Sequence, residues 1–503
     1  MRSQIDAGLG ALPGPEHHGI AGLRSALWSA GYEADHVREV FGATGDNLTP
    51  SASQALMLRR ELEPGTPLTG LLTLFLLGLP LSVALAAAAL TPLNLPVAQE
   101  MGLVEVEGDA VRAAIRLVPY AGFIFASGLE PESRAVDRNH VMGITRSTIT
   151  LANLTLRHPV ELALDLGCGT GVQALLASRH ATRVVATDLN PTACRVTAFN
   201  ARLNRVDNLE VREGSYFDPV EDLRFDLVVT NPPFVISPDN RFLYRDGGVR
   251  GDEVSHEVLE GVSRHLRPGG LATVLISWGR REGEDWFVRP SEWSAGLGCD
   301  VLLLHQATQT ALAHSASWHG ALAGADQHAY EEGIERWTAH LAELGFDGIG
   351  YGAVVLRRRE GDNWLRAEEI PGHDAGPADV QLRAMVEAQD ALVPMDAQGV
   401  LASRPALVPN HHLEQLLRCR DGQFEVESAV LGLEDGLAFR ANVDAFNAYL
   451  LSRLDGSRTL REAVAASMPL APEGAPVAEV EASAARAARR MLELGFLRLR
   501  PER

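Results

Sequence analysis

The sequence predicts an α/β protein. A seven-stranded, doubly wound sheet is expected at its centre, with a helical, winged-helix-like domain before it and a small winged-helix-like domain after it. Three observations lead there. Between about 159 and 359, short apolar runs rich in Val, Ile and Leu alternate with helical stretches, the rhythm of strands laid side by side with crossover helices. A glycine-rich turn follows the first of these runs and opens a helix. On either side lie segments in which helices lead into a short hairpin or strand.

Residues 1–120 form the first expected domain. Helices are predicted over 20–31, 51–61, 68–77, 81–89 and 95–101, followed by a hairpin over 102–117 that turns at Gly108-Asp109. The uncharged run 68–90 is long enough for a membrane span, but Gly78-Leu79-Pro80 interrupts it and no basic residues flank it closely. Two short buried helices are expected there instead, and no membrane partner. Helices followed by a hairpin suggest a winged helix; the hairpin's few charges are mixed in sign, which favours substrate recognition or dimerisation over DNA binding.

The second expected domain is 121–360. Its strands are predicted at 161–166, 183–188, 209–212, 225–230, 271–277, 300–305 and 351–358, with helices at 171–180, 191–203 and 252–266. The stretch 306–345 is too long for a turn and reads as a helical insertion. Gly, Pro and Asp breaks make 361–404 a connecting region. In 405–503, short strands (424–430, 437–440) precede a helix over 443–453. The turn Leu454-Asp455-Gly456-Ser457-Arg458-Thr459-Leu460 then leads to a last helix over 477–494, which closes on Gly495-Phe496-Leu497. That turn and ending resemble PqqD-like winged-helix modules, and the resemblance implies binding of peptides or partner proteins. A small cap that only completes the fold is the alternative.

All 45 basic residues are arginine, and the formal net charge is −20, so polyanions are repelled at long range unless a local basic face offsets the total. The acidity tilts towards a protein substrate without deciding the matter. Cys168, Cys194, Cys299 and Cys419 form no Cys-x-x-Cys pair and suit neither a disulfide framework nor a zinc site; reduced thiols in the cytoplasm are expected. The adjacent pairs His17-His18 and His411-His412 read as surface residues and not as metal ligands. The first 19 residues show no signal peptide pattern.

In Ala163-Leu164-Asp165-Leu166-Gly167-Cys168-Gly169-Thr170-Gly171, the glycines at 167, 169 and 171 let a backbone turn tightly against a ligand. Asp188, in Thr187-Asp188-Leu189-Asn190, ends the next strand, where an acid can accept both ribose hydroxyls of an adenosyl ligand. The spacing is Gly-x-Gly-x-Gly and not the Gly-x-Gly-x-x-Gly of dinucleotide enzymes, although a plain Rossmann oxidoreductase remains an alternative. The run closely resembles motif I of class I methyltransferases, which implies a Rossmann-like methyltransferase sheet and S-adenosylmethionine as cofactor. In that family the acid at the position of Asp165 orients the methionine amino group. Leu189 belongs to the same expected site. The adenine contact is expected from Gly214-Ser215-Tyr216-Phe217, where this chain has Ser215 at a position the family commonly gives to an acid.

Asn231-Pro232-Pro233-Phe234 follows the fourth strand, at the carboxyl edge where open α/β sheets bind ligands. An amide or aniline-like NH2 is a poor nucleophile because its lone pair is delocalised. The Asn231 side-chain oxygen and the Pro232 carbonyl would each accept one of its hydrogens and free the lone pair for attack. Consecutive prolines stiffen that backbone, and Phe234 stacks on the planar group. Neither a metal nor a covalent intermediate is needed. A rigid turn is the bland alternative for the tetrapeptide alone; together with the glycine run, the pattern is specific.

The segment 144–278 resembles the HemK-like methyltransferases of the methyltransferase small-domain superfamily. The resemblance implies methylation of a planar nitrogen: first, N5 of a glutamine in a release-factor-like protein of the translation apparatus; second, N6 of adenine or N2 of guanine in ribosomal RNA. Asp246-Gly247-Gly248 and Gly251-Asp252-Glu253 match the first group, whereas Phe234 in place of tyrosine is commoner in the second. Arg241, Arg245 and Arg250 are candidates to hold phosphate or an acidic peptide, or are simply solvated. A regulator that binds S-adenosylmethionine without turnover is the third reading. Trp278 and Cys168 are expected to be packing residues.

Overall fold

The structure, a computed structural model, describes residues 9–41, 50, 52–129, 139–239, 251–323, 326–371, 375–420, 422–472 and 474–499. Arg241, Arg245, Arg250 and Asp246-Gly247-Gly248 lie outside the described residues.

The central sheet has eight strands: β1 (Val160–Leu166), β2 (Ala181–Asp188), β3 (Leu209–Glu213), β4 (Phe225–Thr230), β5 (Leu266–Arg280), β6 (Cys299–Thr310), β7 (Gly348–Arg358) and β8 (Leu365–Glu369). Their spatial order is β3-β2-β1-β4-β5-β7-β6-β8. The first five are parallel to one another, and β7 runs antiparallel to both β5 and β6. The inner strands are apolar almost throughout, as strands covered on both faces must be. The strand order reverses between β1 and β4, which opens a crevice at their carboxyl ends.

Seven of these strands lie where alternation predicts them. The eighth, Leu365–Glu369, falls in the stretch read as a connection; its alternating charges (Leu-Arg-Ala-Glu-Glu) hide an edge strand. β6 also runs further than expected, to Thr310, because polar Thr308, Gln309 and Thr310 still find backbone partners in Gly350, Ile349 and Gly348 of β7.

Helices Gly19–Ser29, Ala34–Phe41, Ala52–Glu61, Pro67–Leu71, Val83–Leu90 and Leu95–Glu100 precede the sheet. The run expected as two buried helices is indeed broken: a π-helical turn, Leu72–Leu76, ends the first, and Leu81–Ser82 pairs with Ala110–Ala113 before Ser82 caps the second. Among the described residues no helix is long and apolar enough to cross a membrane. The hairpin Val104–Glu107/Ala110–Ala113 turns at Gly108-Asp109 as expected. A second hairpin, Arg116–Tyr120/Phe123–Ser127, was not foreseen, because its turn uses Ala121 (φ 49°) before Gly122 (φ 75°) in place of the usual Asn or Asp.

This second hairpin joins the N-terminal elements to the sheet domain. Asn200, on helix Pro191–Leu203, accepts from Ala126 N at 2.8 Å and donates to Ala126 O at 3.1 Å and to Thr170 O at 2.9 Å. One turn later, Asn204 clamps both backbone groups of Ile124. Val196, Phe199 and Leu203 of the same helix enter the core formed by Leu23, Leu27, Phe75 and Leu90. The N-terminal elements and the sheet are therefore one compact unit, which runs to about residue 367.

A second unit holds 368–503 with the short segment Asn153–Leu156. Within it, the stretch expected to be a bare connection contains helices Asp379–Leu392 and Ala397–Ala402, which pack on the last helix, Val477–Glu493. Their apolar positions (Leu382, Met385, Leu392, Val400) were obscured by the surrounding Pro and Asp. Strands Pro405–Leu407 and Leu497–Leu499 pair, and Thr459 and Glu462 form a capping box at the start of Leu460–Ser467.

Asn200→Ala would strand the buried N–H and C=O of Ala126. An unfolding titration is expected to show a loss of about 3 kcal/mol.

Candidate functional site

The crevice is a cavity of about 560 Å³, within the size range of small-molecule sites. It is walled by the glycine loop, the ends of β2 and β4, the loop after β3, the segment 140–148 and Trp318. Of the residues expected to bind cofactor or acceptor, Asp165, Gly167, Gly169, Asp188, Leu189, Ser215, Tyr216, Asn231, Pro232, Pro233 and Phe234 all line it. Gly171 does not. It sits behind the loop at φ 78°, where a Cβ would come within 2.8 Å of Thr197 Cγ2, so its task is close packing at the start of helix Val172–Ala177.

The loop is held from three sides. Gly167 N and Cys168 N donate to Thr187 O on β2, at 2.8 and 2.9 Å. Gly169 N donates to Asp188 Oδ2 at 2.9 Å. Thr197 donates to Gly169 O, and Asn200 to Thr170 O. Beside Gly167 and Gly169 a Cβ would meet nothing within 4 Å, so the backbone there faces open cavity.

Two carboxylates approach this loop. Asp165 is buried, 3% exposed, and accepts from Ala174 N at 2.8 Å. Burial pushes its carboxyl up to about 7; the Ala174 bond opposes the rise and the nearby Asp188 charge adds to it. Asp188 is also raised by burial, against the amides of Asn190, Gly169 and Leu189. The Cys168 thiol is driven well up by burial and by both carboxylates, which fits a packing role.

At the end of β4, Thr230 Oγ1 bonds Leu166 O at 2.8 Å and sets the tetrapeptide beside the glycine loop. Asn231 Nδ2 donates to Ser147 Oγ at 3.2 Å. Phe234 N closes a tight turn on Pro232 O at 2.8 Å, so one lone pair of that carbonyl is already engaged. Ser277 Oγ, near the end of β5, donates to Phe234 O at 2.5 Å. Tyr216 holds φ 42° at the cavity rim. Trp278 is 2% exposed and packs in the core beside Trp286 and His305.

Sequence reasoning assigned no role to Ser147, Ser277 or Trp318. For Ser147 a signal exists: Thr145-Arg146-Ser147-Thr148 is a hydroxyl-rich helix start, and Thr145 does cap Thr148 N. Ser277 and Trp318 carry no local pattern.

These features fit S-adenosylmethionine. Asp165 suits an ammonium group, Asp188 a ribose diol, and the open face of Gly167 and Gly169 admits the ligand's body without Cβ clashes.

Residues 145–278 match the family model described as the methyltransferase small domain, and residues 29–114 match one described as a domain of unknown function. Over 161 residues the chain is 35% identical to the release factor glutamine methyltransferase of Cereibacter sphaeroides, covering 28% of this chain and 57% of that protein. It is 34% identical over 151 residues to the ribosomal protein uL3 glutamine methyltransferase of Bradyrhizobium diazoefficiens, covering 27% and 47% respectively. The release factor glutamine methyltransferase of Aquifex aeolicus is 34% identical over 128 residues, covering 23% and 46%. The chain thus spans about half the length of the curated relatives it matches.

Two outcomes are expected. Gly171→Ala forces a left-handed Cβ against Thr197, and should cost about 2 kcal/mol or more in a denaturation series. Only ionised Asp165 attracts a cationic amine, and a raised acid is ionised above its pKa. Affinity for S-adenosylmethionine should therefore fall roughly tenfold between about pH 7.5 and about pH 6, read by calorimetry. Asp165→Asn should abolish that dependence.

Proposed function

We propose that this chain is an S-adenosylmethionine-dependent N-methyltransferase acting on N5 of a glutamine side chain in a protein of the translation apparatus. One observation carries the reading: Asn231-Pro232-Pro233-Phe234 lines the same cavity as Asp165, Asp188 and the glycine loop, so nucleophile and methyl donor can meet there. The printed names of the relatives, glutamine methyltransferases acting on a release factor or ribosomal protein uL3, support the acceptor.

Asp165 holds the cofactor's amine, Asp188 its ribose, and Ser215 and Tyr216 flank its adenine. With its nitrogen turned to Ser147, Asn231 presents Oδ1 to one hydrogen of the acceptor amide. Pro232 O, which has one lone pair committed to Phe234 N, offers the other lone pair to the second hydrogen. The two acceptors hold the amide so that its nitrogen lone pair is available, while Phe234 stacks on the carboxamide plane. When bound, S-adenosylmethionine supplies a methyl group on a cationic sulfur. Transfer to the oriented amide would form the N–C bond as the C–S bond breaks, leaving the electron pair on sulfur and the nitrogen's extra proton to solvent.

The N-terminal three-stranded sheet with its helices, and the C-terminal unit with its paired strands and capped helix, are read as winged-helix-like modules that recognise the acceptor protein. Phe234 keeps ribosomal RNA as the second reading.

Asn231→Ala should lower turnover by about 100-fold or more while cofactor affinity stays near wild type. The class of acceptor is tested with methyl-labelled cofactor and an extract from a strain lacking the gene. Label removed by protease and not by ribonuclease supports glutamine; label removed only by ribonuclease sinks it in favour of RNA.

A further inference from the structure

The helical insertion between β6 and β7 reaches the segment just after the tetrapeptide through directed hydrogen bonds. Helix Ala311–His319 starts at Thr310, whose side chain caps Ala313 N, and carries His314 fully buried. His314 Nε2 lies 2.9 Å from Ile236 O, two residues beyond Phe234. A carbonyl only accepts, so Nε2 bears the proton and Nδ1 is left as an acceptor. Tyr351 Oη, 2.5 Å from Nδ1, must then donate to it. Burial raises the Tyr351 phenol, and the neighbouring Trp318 side chain opposes that rise. The order is Tyr351 to His314 to Ile236, and each of these two protons has a single placement.

The second insertion helix, Gln327–Glu343, grips the same segment further along. Trp337 Nε1 and the Arg336 guanidinium both bond the Asp239 carboxylate. The stretch after the tetrapeptide is thereby tied to the insertion at Ile236 and at Asp239. Trp318 is the insertion's side chain in the cavity wall, and it stays 37% exposed. A large aromatic in a cavity wall, with over a third of its surface uncovered, is suited to stacking on a planar group.

We propose that Trp318 is a specificity-determining residue that, with Phe234, receives the planar carboxamide of the acceptor, and that Tyr351 and His314 are positioning residues that tie the helix bearing Trp318 to the segment after the tetrapeptide. This rests on the glutamine reading above. It makes the insertion, and not only the small-domain motif, part of acceptor selection.

The test uses the full chain, methyl-labelled cofactor and a dilution series of the protein fraction from the gene-lacking extract, with cofactor affinity measured separately by calorimetry. Trp318→Ala should raise the half-saturating amount of acceptor about tenfold or more, while cofactor affinity stays within about twofold. Trp318→Phe, which keeps an aromatic face, should stay within about threefold of wild type, and Tyr351→Phe should fall between the two. Saturation of Trp318→Ala like wild type overturns the inference alone, as does a parallel loss of cofactor affinity. A wild-type protein that binds cofactor but labels no protein overturns the glutamine reading and this inference with it.

Discussion

The shape of the loop from Gly167 to Gly171 is the constraint on which the rest of the structure depends. A chain leaving β1 must reverse into helix Val172–Ala177 within a few residues, and it does so through three left-handed glycines. Such a loop has no repeating pattern of its own, so its polar groups must be bonded from outside. Thr187 O and Asp188 on β2 take its amides; Thr197 and Asn200 on helix Pro191–Leu203 take its carbonyls. The helix that completes these bonds also fixes the second hairpin and fills the N-terminal core. Glycine loop, hairpin and N-terminal helices thus share one support.

The same closeness sets the electrostatics. Two carboxylates lie near the loop with little water to solvate them, and each is raised by burial. Backbone amides compensate in part: three for Asp188, one for Asp165. The pair therefore carries unfavourable charge that a cationic, diol-bearing ligand would relieve, which makes this local arrangement more telling about the ligand than the net charge of the whole chain.

At the other end of the cavity the tetrapeptide is stiff for reasons beyond its prolines. Thr230 fastens it to β1, Ser277 to β5 and Ser147 to the helix before the sheet, and the insertion holds the residues that follow. A segment that must orient a ligand closely gains from this many anchors, because small displacements of its polar groups would forfeit the alignment. Two buried side chains of the insertion's helices, His314 and Trp337, reach the segment.

Much of this was legible locally. The glycine spacing, the acids ending β1 and β2, and Asn-Pro-Pro-Phe after a buried strand are patterns of adjacent residues whose backbone demands are written in their side chains; seven strands of the sheet follow from apolar runs and, for β3, from apolar–charged alternation. The second hairpin, the edge strand Leu365–Glu369 and the helices over 379–402 escaped because their turns or faces lack the usual residue types. Ser147, Ser277, Trp318 and the chain through Tyr351 and His314 escaped for a different reason: each acts only on a partner far away in sequence. By itself the sequence determined seven strands of the sheet, the glycine turn after the first and the stiff Asn-Pro-Pro-Phe segment after the fourth, since these depend on local conformation and hydrophobic period. Only the tertiary structure decided which hydroxyls, indoles and imidazoles surround them, because a hydrogen bond between distant residues exists only once the backbone has brought its two ends together.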